Sequence, residues 1–437
     1  MEYFTNSLGI AGRLRQRISD FAVEEIPPQN LSHQNMEQKL KEKKFGGRRN
    51  AGISSTRENL KDFHCGSYKH TIFWMEKFNW DTHQALHEIA RKLHVSPSRF
   101  GIAGTKDKRA ITKQRVSAWE ISPEQLEKIK IRDIKLYGFE PTDKKLQLGE
   151  SGGNKFEIII RDIDLPKDEI EKRLNETFLQ LQKGIPNLFG PQRFGEVRKI
   201  THLVGAEILK GKFESAVKIY LTEIFESEPE DSKEARKFLA ENWNNLGFRA
   251  AAQKFPECLK YERGLCNYLA QNPADFIGAF KIFPKKLQKM FVNAVQAWVW
   301  NETALELWKR KIFPEKVKIY GHETKLLKSS EADLIISHIL EKEKIKSENF
   351  QIAEIKDISS KGGERNFLLK PKDLKIMEIS EDRQNSPNFA SSQKSMISAD
   401  EFNIGKLKAC VSFSLPPGSY ATVILKEICK SNGSESI

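Results

Sequence analysis

R-F-G-I-A-G-T-K-D-K-R-A-I-T-K-Q-R, from Arg99 to Arg115, holds six basic residues and a single acid, Asp107, set between Lys106 and Lys108. Gly101 and Gly104 disfavour a helix around Asp107. The stretch therefore reads as a short strand over Phe100–Ala103, a loop bearing Asp107, and a second strand over Ala110–Trp119. Loops held on a sheet often carry catalysis. Positive charge around a carboxylate favours its charged form and draws a polyanion to the same place. Two readings follow: an anionic nucleophile or base presented to nucleic acid, or a solvated loop whose Asp caps a turn or pairs with a Lys. Taken alone, the stretch favours the second, because charged loops are common.

Upstream, G-R-L-R-Q-R-I-S-D-F-A-V-E-E-I-P (Gly12 to Pro27) gives a short strand ending in a turn, with Arg13, Arg15 and Arg17 on its approach. Those arginines either touch phosphate or pair with acids elsewhere, and Phe21 by composition is a core aromatic. Residues 29–62 are polar and rich in Lys, Arg, Gly and Ser, the pattern of a mobile insertion whose basic block is Lys41, Lys43, Lys44, Arg48 and Arg49. Tyr68–Phe78 is a strand candidate. Asp81 and Gln84 then open an amphipathic helix carrying Ala85, Leu86, Ile89, Ala90 and Leu93.

Downstream, Ile131–Phe139 and Leu146–Leu148 are strand candidates, followed by S-G-G-N-K-F-E-I-I-I-R, Ser151 to Arg161. Asn154 stands at the mouth of that strand, where an amide reads a base edge or simply serves a turn. A helix over Glu169–Gln182 ends at Gly184 and Pro186. N-L-F-G-P-Q-R-F-G-E (Asn187 to Glu196) then forms a rigid aromatic turn, suited to clamping RNA or to marking a domain boundary.

From Ile200 to Arg310 the period is helical (Thr201–Leu209, Phe213–Ile224, Lys233–Trp243, Leu287–Leu307), with aromatics that read as core. Mixed pieces at Val317–Tyr320, Ala332–Lys342 and Phe350–Ile355 suggest an α+β module, and Ile379–Ile397 reads as a linker. The alternation of Leu407, Ala409, Val411, Phe413 and Leu415 is a strong strand, followed by a helix over Tyr420–Ile428. A strand after a linker implies pairing back into an earlier sheet, with Phe413 as core or as a stacking surface.

Composition narrows the function classes. The 437 residues are 39% apolar, enough for real cores in two or three domains. A net charge of +13, with 59 acids beside 72 bases, describes a folded protein with basic surfaces. Nucleic acid is the leading partner and an anionic membrane surface the runner-up. No apolar run approaches the roughly 20 residues needed to span a bilayer, and residues 1–10 show no secretory signal, so the expected place is the cytoplasm. Five dispersed cysteines without a C-x-x-C argue against a disulfide framework or structural zinc. His83 and His87 lie four apart, but H-E-I-A-R fails the zincin pattern. No metal, no cofactor and no obligatory protein partner are expected.

Read jointly, D-F-A-V-E-E, G-T-K-D-K-R-A-I-T-K-Q, G-N-K-F-E-I-I-I-R, P-N-L-F-G-P-Q-R-F-G and F-S-L-P-P-G-S-Y-A-T resemble the TruD family of tRNA pseudouridine synthases, in that family's order and over nearly the whole chain. The basic insertion and the large central region resemble its archaeal and eukaryotic branches. The resemblance implies an α+β fold, a pseudouridine-synthase catalytic domain with a mixed, largely antiparallel sheet and flanking helices. That domain would be split by an α+β insertion domain: residues 1–185, then 186–385 as the insertion, then 386–437 returning. It implies that Asp107 is the catalytic aspartate, with Arg15 as its basic partner and Lys106 in the same motif. Phe21, Asn154 and Phe413 fall on substrate-contacting positions. Bacterial members carry Lys where this chain has Arg15, which keeps the charge. The implied substrate is tRNA, at the uridine of position 13 in the D-arm.

Isomerising uridine to pseudouridine breaks an N-glycosidic bond, turns the uracil and rejoins it through carbon, which needs neither redox cofactor nor hydrolysis. A carboxylate attacks the sugar or removes a proton at C2′ on the way to a glycal, and the residues do not choose between the two. Extruding the uridine costs a few kcal/mol, and stacking on Phe21 would return about 1–3 kcal/mol. The rival from another class is a basic RNA-binding protein or chaperone without catalysis. A metal-dependent nuclease would need a carboxylate cluster that the motifs do not supply.

Overall fold

The computed structural model describes residues 3–28, 68–195, 197–382, 403 and 405–430. The proposed insertion at 29–62 with its basic block, and the linker from residue 383 on, lie outside the described residues. The chain forms two compact units, Met1–Gly184 with Lys370–Ile437, and Ile185–Leu369.

The first unit is built on one sheet of eight strands: β1 (Phe21–Ile26), β2 (His70–Phe78), β3 (Phe100–Ile102), β4 (Ile111–Trp119), β5 (Ile134–Thr142), β6 (Gly153–Ile163), β7 (Lys372–Glu381) and β8 (Leu407–Leu415). Their order is β7-β8-β6-β1-β4-β2-β5, with β3 also paired to β4. Only β1 and β4 run parallel, registering Ala22 with Ile111 and Val23 with Thr112. The other pairings are antiparallel, so the sheet is mixed and largely antiparallel. Parallel neighbours need a long crossover, and here the chain passes through β2, the first helix and β3 before returning as β4.

Helix α1 (Thr82–Leu93) starts where the Asp81 carboxylate accepts from the N–H groups of His83 and Gln84. It ends at His94, whose backbone is left-handed. Its buried Ala85, Leu86, Ile89 and Ala90 pack on Phe73, Met75, Val116 and Ala118, which share one face of β2 and β4. Helices α2 (Pro123–Glu127), α3 (Lys167–Lys183) and α4 (Ala421–Cys429) complete the unit, and α3 packs on β7. In β6 the consecutive Ile158, Ile159 and Ile160 are all buried, so the sheet's middle is covered on both faces.

Two sequence expectations shift in this unit. No strand forms at Leu146–Leu148, where the Leu146 N–H bonds instead to Ser117 Oγ. The expected second boundary at residue 385 moves back to Leu369. The reason is β7: Ile379–Glu381, read as linker, is the end of an edge strand registered Lys372↔Ser414 to Glu381↔Leu407. None of its residues is buried and its ladder is broken by two irregularities. Bulges and lysines blunt a sheet edge and also erase the apolar alternation that announces a strand.

The second unit is helical around Lys285–Lys309, whose Phe291, Val292, Val295, Val299, Trp300 and Leu307 sit in its core. Helices Thr201–Leu209, Phe213–Thr222 and Glu230–Glu241 lie where the period places them, and Glu331–Glu343 is a helical piece of the mixed region. Asn245–Lys254, Lys260–Gln271 and Phe276–Lys281 are further helices. Of the mixed pieces, Phe350–Ile355 falls on two 3₁₀ turns. Two short antiparallel pairs, Ile185–Pro186 with Leu368–Leu369 and Lys316–Ile319 with Gly363–Asn366, give the unit its β content.

Candidate active site

The Asp107 loop leaves β3 and enters β4, and three elements pin its backbone. From β2, Lys77 Nζ donates to the carbonyls of Trp80 (2.6 Å), Asp107 (2.9 Å) and Lys106 (3.4 Å). From α1, Thr82 Oγ1 accepts from the Lys106 N–H at 3.0 Å and lies 3.1 Å from Gln114 Oε1. From β4, Gln114 Nε2 donates to the Gly104 carbonyl at 3.0 Å. Thr82, Gln114 and Lys77 are fully buried.

On this base the Asp107 side chain keeps 34% of its surface exposed, enough to meet a large substrate. Arg15 Nη2 donates to its Oδ2 at 2.8 Å, and among the described residues Oδ1 takes no protein hydrogen bond. The Arg15 guanidinium carbon lies 4.3 Å from the centre of the Phe21 ring, a cation–π contact that fixes the fork's plane. Arg15 has φ 56°, left-handed for a bulky residue, which costs about 1–2 kcal/mol. Its two side-chain contacts offset part of that cost. Lys108 and Arg109 on the same loop are exposed.

Asn154 sits one strand away. Its Cα partners are Glu25 on β1 and Leu415 on β8. Because side chains alternate along strands, Asn154, Glu25 and Phe21 share one sheet face. The Asn154 Oδ1 is buried and accepts no hydrogen bond from the described residues. An orphaned buried acceptor is costly unless a ligand or water fills it.

The remaining expected residues are placed differently from a simple substrate-contact set. Phe21 is itself only 2% exposed with Arg15 over its ring, so it has no open face on which a base could stack. Lys106 points inward, Nζ 3.1 Å from Glu25 Oε2, with side chains 7% and 1% exposed. Burial pushes the Glu25 carboxyl above its ordinary value despite the pull of Lys106. Lys106 therefore anchors the loop and does not face the carboxylate of Asp107. Phe413 is fully buried and stacks on Phe156 at 5.4 Å and 26°. Phe156 in turn meets Phe21 edge-on at 6.2 Å. As β6 separates β8 from β1, Phe156 stands between the other two rings, and Phe413 supports the row from behind with no open face for a base. Glu25, Phe156 and Lys77 were not singled out from sequence. Phe156 lies two residues after Asn154, and that same-face spacing was the available signal.

Among the described residues no three His, Cys, Asp or Glu side chains converge as a metal would require.

A family model described as tRNA pseudouridine synthase D (TruD) matches residues 1–317 and 303–428. A Methanosarcina barkeri protein named "Probable tRNA pseudouridine synthase D" is 33% identical, with 98% of this chain and 95% of that protein aligned. A Methanococcus maripaludis protein of the same name is 34% identical over 95% of this chain and 94% of its own length. A crystal structure of a TruD protein from Methanosarcina mazei superposes with a TM-score of 0.69 at 31% identity, covering 99% of this chain and 96% of that one. The α+β fold with its mixed sheet is thus that of a pseudouridine synthase, an isomerase. More narrowly, the chain belongs to the tRNA pseudouridine synthase D (TruD) family.

Proposed function

We propose that this chain converts a uridine of tRNA to pseudouridine with Asp107 as the reacting carboxylate, and that the target is position 13 of the D-arm, as the family resemblance implies. The observation that carries the assignment is the Arg15–Asp107 pair: one oxygen is held at 2.8 Å while the other is left to the substrate. Oδ1 would attack C1′ as uracil leaves, or take the C2′ proton on the way to a glycal. In the first route the freed uracil turns and its C5 displaces the Asp107 ester from C1′; in the second, C5 adds to C1′ of the glycal while Asp107 returns the proton to C2′. In both, the C5 proton is removed and N1, released from the sugar, takes up a proton, so the isomer forms without an added reagent. The unfilled Asn154 Oδ1 suits the N3–H of the uracil. Phe21, buried under the Arg15 guanidinium and edged by Phe156, shapes the site by holding Arg15 and not by offering a face to the base. Exposed Lys108 and Arg109 suit the flanking phosphates.

We assign Met1–Gly184 with Lys370–Ile437 as the catalytic domain and Ile185–Leu369 as the family's insertion domain. Among the described residues no helix is long and apolar enough to cross a membrane. We propose that the chain works in the cytoplasm, where tRNA is met. No obligatory protein partner is proposed.

Mapping pseudouridine in unmodified tRNA after incubation with wild type and with Asp107→Asn tests the assignment. Wild type should form pseudouridine at one D-arm position, with or without chelator, and Asp107→Asn none. Equal product from Asp107→Asn removes Asp107 from the chemistry. Binding without product by wild type, on every tRNA tried, leaves an RNA-binding protein.

A further inference from the structure

Lys77 is a lysine in mid-sheet, its Cα partners Thr112 on β4 and Ile134 on β5, and it is fully buried. A buried ammonium ordinarily pairs with a carboxylate. This one instead directs its donors at three backbone carbonyls, those of Trp80, Lys106 and Asp107. Two of the three belong to the residue bearing the reacting carboxylate and the residue before it. The third closes the turn from β2 into α1, whose Thr82 also grips the Lys106 amide. Cation, turn and loop thus form one knot.

We propose that Lys77 is a positioning residue for the reaction, its three-carbonyl grip fixing where the Asp107 side chain leaves the loop. The inference rests on the reading that Asp107 reacts. It also makes the grip depend on charge. An ammonium has three N–H donors, whereas the neutral amine has two and a lone pair that would face a carbonyl oxygen. Burial pulls Lys77 down to about 8, opposed by Asp81 and Asp107 and aided by Lys106. Of the other charges nearby, Arg15 is taken up by Asp107 and Glu25 by Lys106. β4 offers only the uncharged Thr112 and Gln114 on this face, and β5 offers Ile134.

The sign separates this device from unfolding. The unfolded chain keeps the Lys77 proton to higher pH than the fold does, so the fold binds fewer protons above about pH 8. On this group's account, stability rises there rather than falls. A rate that drops above pH 8 while the melting temperature holds is the signature of a released loop.

The test measures single-turnover pseudouridine formation from pH 6 to 10, tRNA affinity and thermal melting for wild type, Lys77→Met, Lys77→Arg and Asp107→Asn. Wild type should lose rate with a midpoint near pH 8. Lys77→Met should react roughly 10²-fold more slowly, the scale of a misplacement of about 1 Å, with near-normal tRNA affinity and no alkaline limb. Lys77→Arg, which cannot lose its charge in this range, should regain part of the rate and also lack the limb. A wild-type rate flat to pH 9.5 overturns the proposal without any variant, which covers the case that a variant does not fold. So does a limb unchanged in Lys77→Arg, or a Lys77→Met enzyme as fast as wild type. Any of these beside an inactive Asp107→Asn sinks the role of Lys77 alone, whereas an active Asp107→Asn sinks the reading of the site.

Discussion

Arg15 holds Asp107 by its charge and lies on Phe21 by its plane, and these two functions can be separated. Arg15→Lys keeps a cation but loses the planar fork and the broad stacking contact. We expect it to slow single turnover by roughly tenfold, which corresponds to about 1.4 kcal/mol, with tRNA affinity nearly unchanged. Arg15→Met should cost more, because no positive charge remains beside Asp107. Rapid-quench rates on both variants check the order, and a Lys variant no better than Met contradicts it. This residue was legible as a base near an acid, but its partner was not. The ninety-odd residues between Arg15 and Asp107 carry no local signal, and only the parallel pairing of β1 with β4 brings them together. Lys77 was hidden for a different reason: a lone lysine in a strand ordinarily points to water, and its carbonyl partners belong to backbone that any sequence would have. Glu25 was masked by its neighbour Glu24, one of the pair exposed and the other buried.

Among the elements, β6 has the most exacting task, since it must present Asn154 while paired on both sides. It begins at Gly153, whose φ of 131° is barred to other residues and whose added Cβ would meet the Leu415 carbonyl oxygen of β8. Gly153→Ala should therefore destabilise the first unit by about 1–3 kcal/mol and displace Asn154, lowering activity more than the stability loss alone explains. Denaturant unfolding together with turnover at a temperature where the variant is folded would measure both. Unchanged activity would mean that the strand's mouth tolerates the shift. Strong periodicity made α1, the long helix Lys285–Lys309 and the alternating β8 readable. The half-exposed β7 was missed because an edge strand protected by lysines and bulges looks like polar linker. Asn245–Lys254 was missed because Gly247, set tight against the Asn242 carbonyl, reads as a break although the Asn244 side chain caps a helix there.

For the whole molecule, the pairing of Ile185 with Leu369 matters most. It brings the two ends of the second unit within about 5.5 Å of each other. Replacing 185–369 with a short glycine–serine linker should leave a first unit that still folds, since its sheet and the packing of α1 lie wholly within it. Far-ultraviolet circular dichroism and a cooperative melt would show this, and a non-cooperative melt would contradict it. The Gly184–Pro186 break is a local signal in the sequence, whereas the return point depends on β7 and its distant partner.

The sheet order also dictates a timetable. β6 is made early, but β8, its partner on one side, lies beyond the entire second unit, Leu407 registering with Ile163 and Leu415 with Asn154. During synthesis the contiguous second unit can close as soon as it emerges, whereas the first must wait for β8, the last of the described strands. Until then the Ile158–Ile160 ribbon has an open edge, the kind that recruits other nascent chains. Chaperone demand should therefore concentrate in the interval between synthesis of β6 and β8, and lengthening the insertion would extend that vulnerable interval without altering the site.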